Sequence, residues 1–248
     1  MTKLINLTAS TPNGQKTTIA LEELKEAGVD LDFEHRAISL GDNEQKEPEF
    51  LKHNPNGRIP ALEDKARGVS VFESAAILLY LDKHYDTQHH FGFAPESNEY
   101  DELVQWLFYQ MGALGPMQGQ ANHFVRYAPE KIPYAVKRYT NETKRLLGIY
   151  NTRLEGRDWL VGGKYSYADM CTLPWVRWHE WAGVDSLADF PNVDRWLKRW
   201  LERPAVKRGL QIPEEDTIDA MHRDPSVAEK HASGYSQWVL KGSGQLDD

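Results

Sequence analysis

Two short segments of this chain open helices with chemically competent residue types. Ser10-Thr11-Pro12-Asn13-Gly14 places two hydroxyls and a carboxamide on a turn that opens a helix. Glu73-Ser74 places an acid and a hydroxyl at the start of another helix. A helix N-terminus offers free N–H groups and the positive end of the helix dipole, so a hydroxyl there suits an anion. The Glu73 carboxylate suits an ammonium group. Between the two, Ile59-Pro60 enters a short strand, a position where a cis bond can be held. Backbone groups exposed at such a turn can pair with an extended peptide. Each feature alone also reads as an ordinary turn or cap; Ile59-Pro60 combined with Glu73-Ser74 is what points to a peptide with carboxylate and ammonium ends.

These residues need elements to position them. Apolar periodicity predicts a strand over Lys3–Leu7, a helix over Gln15–Ala27 ended by Gly28, and a strand over Leu31–Ile38. In that first helix Ile19, Leu21 and Leu24 form the apolar side, and Glu22, Glu23 and Lys25 the polar side. A short helical turn follows at Pro48–Leu51. Ile59–Leu62 and Val69–Phe72 flank the polar turn Glu63–Gly68 as a hairpin. Glu73–Tyr85 reads as a helix burying Ala76, Ile77, Leu79 and Tyr80. The order β-α-β-α-β-β-α makes an α/β domain over 1–86. After a Gly- and Pro-containing linker the pattern is all-α. Helices are expected over Glu99–Gln118 (interrupted around Gly112, Gly115 and Pro116), Pro133–Leu154, Ser166–Trp181 and Asn192–Glu202, the last stopped by Pro204. The expected division is an α/β domain at 1–86, an all-α helical-bundle domain at 97–220, and a polar tail at 221–248 with one helix-like patch, Tyr235–Leu240.

The bulk properties exclude several classes. With a net charge of -8 over 248 residues, nucleic acid is a poor main partner, because phosphate neutralisation needs a basic face. The single cysteine, Cys171, forbids an internal disulfide, argues against a thiolate metal site and fits a reducing compartment. No apolar run reaches membrane-spanning length, and MTKLINLTAS is too polar for a leader; a cytoplasmic protein is expected. His179 and the pair His89-His90 lack the companions a zinc site needs, so no metal is expected. Ser166-x-x-Asp169 reads as a helix cap serving stability, and Cys171 as a small buried apolar residue.

Three segments, TPNGQK at 11–16, LGPMQGQANHF at 114–124 and IPYAVKRYTNET at 132–143, resemble the nu-class glutathione transferases and the related fungal group that includes a nitrogen-regulating prion protein. The resemblance covers about residues 1–212. It implies a thioredoxin-like domain followed by a helical bundle, glutathione as co-substrate, small disulfides or electrophiles as second substrates, and a homodimer. It implies that Glu73 and Ser74 hold the γ-glutamyl end, that Ile59 pairs with the cysteinyl backbone, that His53 meets the glycyl carboxylate, and that Gln45 is a further contact. Arg138 matches an arginine that reaches the bound peptide, within one subunit or across the dimer.

A free thiol has a pKa of roughly 8.5, so such an enzyme must stabilise the thiolate with donors. The resemblance gives that role to Asn13 and Thr11, with Ser10 as the alternative. The turn holds no tyrosine and no cysteine, so a mixed disulfide between protein and glutathione is not available there. Phe124 and Trp175 are expected in the electrophile pocket. The implied function is glutathione-dependent disulfide reduction with conjugation as a second activity. The alternative is a catalytically weak regulatory or ligand-carrier protein of the same fold. A prion-type regulator carries a long Asn/Gln-rich extension, whereas this sequence starts at the first strand, which favours the enzyme.

Overall fold

The computed structural model describes residues 3–242. Its first half is a four-stranded sheet in the order β2-β1-β3-β4. Strand β1 (Leu4–Thr8) is central and fully buried. It runs parallel to β2 (Phe33–Ala37), with Leu4 opposite Phe33, and antiparallel to β3 (Ala61–Asp64), with Leu7 opposite Ala61. β3 turns into β4 (Val69–Phe72) as the expected hairpin. Alternation along β1 divides the apolar residues. Ile5 and Leu7 pack with Ile38, Phe50 and Ala61 on one face, while Leu4 joins the large core shared with the helices on the other.

Helix α1 (Pro12–Glu26) packs between the sheet and the helical half. Of its polar side only Lys25 is solvated; Glu22 and Glu23 are buried, contrary to the sequence expectation. Glu23 accepts a bidentate pair from Arg203 at 2.6 and 2.7 Å, and Glu22 accepts from Arg208 at 2.9 Å. Periodicity alone cannot see arginines arriving from 180 residues away. Gly209 lies so close to α1 that a Cβ there would sit 2.7 Å from Ile19 Cα. After α2 (Pro48–Leu51), the hairpin leads to α3 (Ser74–His84), which buries Ala75, Ile77, Leu78 and Leu81. Ala76 is exposed, and Leu79 and Tyr80 are only partly covered, so the buried stripe lies one residue from the one expected.

The expected interruption at Gly112–Pro116 does not occur. Helix α4 (Asn98–Tyr109) continues through a π-helical turn at Gln110–Leu114 into α5 (Gly115–Asn122) and a second π turn at His123–Tyr127. The helix widens there instead of ending, and such π segments often sit at functional sites. Helices α6 (Pro133–Arg153), α7 (Tyr167–Arg177) and α8 (Pro191–Leu201) follow. Asp169 caps α7. It accepts from the Ser166 N–H and hydroxyl, from the Leu160 N–H and from Trp196 Nε1, at 2.9–3.0 Å. Pro204 does not merely stop α8; it is the first residue of α9 (Pro204–Leu210), where a missing N–H costs nothing.

The polar tail is helical: α10 (Ile218–Arg223) and α11 (Pro225–Gly242). Ile218 and Met221 pack on Trp178 and Trp181, and the buried Arg177 pairs with Asp216 and Asp219. The patch at Tyr235–Leu240 falls inside α11, and residues 243–248 lie outside the described residues.

Candidate functional site

The site is built around the N-terminus of α1. Thr11 is its N-cap, with extended backbone, and the Thr11 hydroxyl accepts the Gly14 N–H at 3.1 Å. That leaves the hydroxyl proton to donate elsewhere. Gly14 is required by space, since a Cβ would fall 2.1 Å from the Ala9 carbonyl oxygen. Asn13, in the first turn, accepts the Trp175 indole N–H through Oδ1 at 2.9 Å. Indole can only donate, so this bond fixes which way the carboxamide faces. The Asn13 Nδ2 is thereby left with two protons and no protein partner among the described residues.

Asn13 and Trp175 stand on the walls of two connected cavities. One, of ≈ 530 Å³, is bounded by Gln45, Lys46, Arg58, Glu73, Gln110 and Met111. The other, of ≈ 190 Å³, is bounded by Ser10, Thr11, Ile59, Tyr127 and Trp178. The bond between Ile59 and Pro60 is cis, and no backbone hydrogen bond ties Ile59 among the described residues. Glu73 precedes α3 with φ 70, an uncommon and costly conformation for a side chain of this size. Ser74 begins α3 and is buried, with Oγ 3.2 Å from the Lys16 ammonium. Gln45 is buried in a 3-10 turn, donates to Asn43 Oδ1 at 3.1 Å, and keeps Oε1 unpartnered among the described residues.

The structure thus brings together Ser10, Thr11, Asn13, Gln45, Ile59, Glu73 and Trp175, and places Ser74 beside Glu73. It does not bring in three other residues. His53 Nδ1 lies 2.9 Å from Ser70 Oγ on β4, away from the cavity walls. Arg138 is exposed on α6 and lines neither cavity. Phe124 is turned by the second π segment onto Tyr139, stacked at 5.6 Å with rings 2° apart, and also lies off both walls. Ser10 Oγ is 3.4 Å from the Glu214 carbonyl oxygen and faces the tail.

Four wall or support residues escaped the sequence reading. Lys46 and Arg58 put positive charge at one end of the larger cavity, a signal present as the cations beside Gln45 and Ile59. Lys16 and Gln110 lie beneath Ser74; nothing in helical periodicity marks a lysine as buried.

A further cavity, of ≈ 660 Å³, is a neighbour that shares Ser10 and Leu40 with the smaller one. The tail supplies its far wall through Thr217, Val227, Lys230 and His231. Burial pushes the His231 imidazole down to about 4, so it is neutral at physiological pH.

Residues 8–83 match the glutathione S-transferase N-terminal domain model, and residues 119–204 match the C-terminal domain model. The disulfide-bond oxidoreductase YfcG of Escherichia coli is 42% identical over 207 residues, covering 82% of this chain and 92% of that protein. The solved structure of the glutathione transferase URE2P6 from Phanerochaete chrysosporium, in complex with oxidized glutathione, superposes with a TM-score of 0.79 at 41% identity, covering 85% of this chain and 96% of that one. A glutathione transferase homolog from Lodderomyces elongisporus, solved with two GSH per subunit, gives a TM-score of 0.79 at 36% identity, covering 86% and 100%.

Proposed function

This chain belongs to the glutathione S-transferase family, and from that membership we propose that it uses glutathione to reduce small disulfides, with transfer to electrophiles as a second activity. The γ-glutamyl ammonium lies at Glu73 and its carboxylate at Ser74. The cysteinyl backbone pairs with Ile59, and Gln45 contacts the same peptide. Lys46 and Arg58 take the glycyl carboxylate, the role the resemblance implied for His53; both line the cleft.

The sulfur lies at Asn13 and Thr11. The observation that carries this reading is the Trp175 to Asn13 hydrogen bond, which occupies Oδ1 and leaves both amide protons of a residue lining the two cavities without a protein partner among the described residues. Two amide protons, one hydroxyl and the N-terminus of α1 favour a thiolate over a thiol. Ser10 is the weaker candidate, because its hydroxyl faces Glu214.

The glutathione thiol loses its proton to solvent, and the thiolate attacks one sulfur of the disulfide. The displaced thiolate is protonated, and a mixed disulfide of glutathione and substrate remains. A second glutathione attacks that species, releasing the other half as a thiol and forming oxidised glutathione. No protein cysteine takes part; Cys171 is fully buried and burial pushes its pKa up. The second substrate enters beside Trp175, Tyr127 and Trp178. The active form is a cytosolic homodimer, with domains at 1–86 and 97–220. In it Arg138, exposed on α6, reaches the bound peptide of the partner subunit. Exposed Phe72 and Phe108 support association.

The test is turnover of bis-hydroxyethyl disulfide with glutathione, read as NADPH oxidation through glutathione reductase. Glutathione-dependent turnover abolished by omitting either substrate supports the reading. Tight glutathione binding with no turnover favours a regulatory or carrier role.

A further inference from the structure

Lys16 lies one turn into α1, and its side chain is fully buried. Its Nζ bonds to Gln110 Oε1 at 2.5 Å and Ser74 Oγ at 3.2 Å, and contacts Met111 Sδ at 3.3 Å. All three ammonium protons thus meet neutral acceptors. Among the described residues no carboxylate lies within 4.0 Å of it. The Glu73 carboxylate acts only at longer range. The nearby Cys171 sulfur donates to the same Gln110 oxygen at 3.3 Å and also interacts with the Lys16 ammonium, which opposes burial at both groups; burial still holds the Cys171 pKa up, so it faces Lys16 as a neutral thiol. Burial also lowers the Lys16 pKa. A desolvated ammonium without an anion is an expensive arrangement for a folded core.

The surrounding groups point one way. Ser74 Oγ accepts from Lys16, so its own proton is free to be donated to a stronger acceptor than the Met111 sulfur 3.4 Å away. Gln110 gives its oxygen to Lys16 and Cys171 and keeps Nε2 buried without a partner among the described residues. Gln110 forms part of the wall of the ≈ 530 Å³ cavity beside Glu73. A buried cation therefore links the Ser74 hydroxyl to a carboxamide with an unpaired Nε2, behind the wall that Glu73 and Gln110 share.

We propose that Lys16 is a positioning residue for the α-carboxylate of the γ-glutamyl group, acting through Ser74 and Gln110, so that the ligand supplies the counter-charge the buried ammonium lacks. This rests on the reading that Glu73 and Ser74 seat the γ-glutamyl end. Its consequence is selectivity: a peptide whose first residue lacks that carboxylate is discriminated against by Lys16, not only by the serine hydroxyl.

The experiment uses two unreactive probes, S-methylglutathione and 4-aminobutyryl-S-methylcysteinylglycine, which differ only in the α-carboxylate. Calorimetric Kd values are measured on the full chain and on Lys16→Met, an unbranched apolar side chain one atom shorter that removes the charge. Wild type binds S-methylglutathione more tightly by at least about tenfold, the range for a hydrogen bond to a charged group. Lys16→Met removes most of that difference by weakening S-methylglutathione alone, with the decarboxylated probe unchanged within about twofold.

A variant that keeps the wild-type discrimination overturns the role of Lys16 and leaves the Ser74 seat standing. A wild type that binds both probes equally overturns the seat and the inference together. Thermal melts check folding, and Lys16→Gln, which retains a donor without charge, carries the same comparison if Lys16→Met does not fold.

Discussion

Replacing Asn13 with alanine isolates the donor on which the proposed chemistry depends. The variant loses the Nδ2 donor of a residue that lines the cavity, and frees the Trp175 indole, which now bonds to Oδ1 at 2.9 Å. Alanine is a good helix former, and Thr11 still caps α1, so the helix itself survives. A hydrogen bond to a charged group is worth about 1.5–3 kcal/mol, and one pKa unit is about 1.4 kcal/mol. The thiol of bound glutathione should therefore titrate about one to two units higher in Asn13→Ala. The sign follows from the chemistry: a donor stabilises the thiolate, and its loss favours the thiol, so the acidic limb of the pH–rate profile moves to higher pH. At neutral pH kcat/KM should fall roughly 10- to 100-fold, with part of the loss offset by the greater intrinsic nucleophilicity of a more basic thiolate. The assay is the pH dependence of kcat/KM for bis-hydroxyethyl disulfide, with ultraviolet thiolate absorbance of the glutathione complex as a direct titration. Ser10→Ala is the comparator and should lose less than about threefold. An unshifted profile in Asn13→Ala, or a larger loss in Ser10→Ala, refutes the assignment.

Three further outcomes follow from the same structure. Trp175→Phe keeps the ring and removes the indole donor; the Asn13 amide is released to rotate, and kcat should fall about 3- to 10-fold with little change in glutathione affinity, measured by steady-state kinetics and calorimetry. Asp169→Asn turns an NH₂ toward donors that now meet a carboxylate, so urea melts should show a loss of about 2–4 kcal/mol at pH 7 with activity per folded molecule retained. Burial and the neighbouring Asp86 push the Asp82 carboxyl up to about 6, above its ordinary 3.8. The folded state thus holds that proton more tightly than the unfolded state, and its stabilising contribution is full below about pH 4 and lost as pH rises through 6. Asp82→Asn should raise Tm at pH 7.5 by about 2–4 °C and by less at pH 5, read by calorimetry; an equal rise at both pH values refutes it.

Local chemistry marked Ile59, Glu73 and Ser74, and the family resemblance added Thr11, Asn13 and Gln45. All but Ser74, which lies beside Glu73, reach the cavities, because each sits at a turn or helix start whose geometry is set by its neighbours. The Asp169 cap was readable for the same reason. What escaped was non-local. The polar side of α1 is closed by Arg203 and Arg208 from α9, and the buried charge of Lys16 depends on Gln110 and Met111 in a π turn that glycines and a proline disguised as a break. His53 belongs to the right segment, but its ring is claimed by Ser70 across the hairpin. The tail is helical because Ile218 and Met221 find Trp178 and Trp181, a pairing that no local pattern in a polar segment foretells.

The most direct test of the thiolate assignment is a crystal structure with glutathione bound. The account predicts the sulfur within about 3.5 Å of Asn13 Nδ2, the Trp175 to Asn13 bond intact, and the γ-glutamyl carboxylate at Ser74. A sulfur bonded to Ser10 Oγ, with Asn13 turned away from it, would contradict the account.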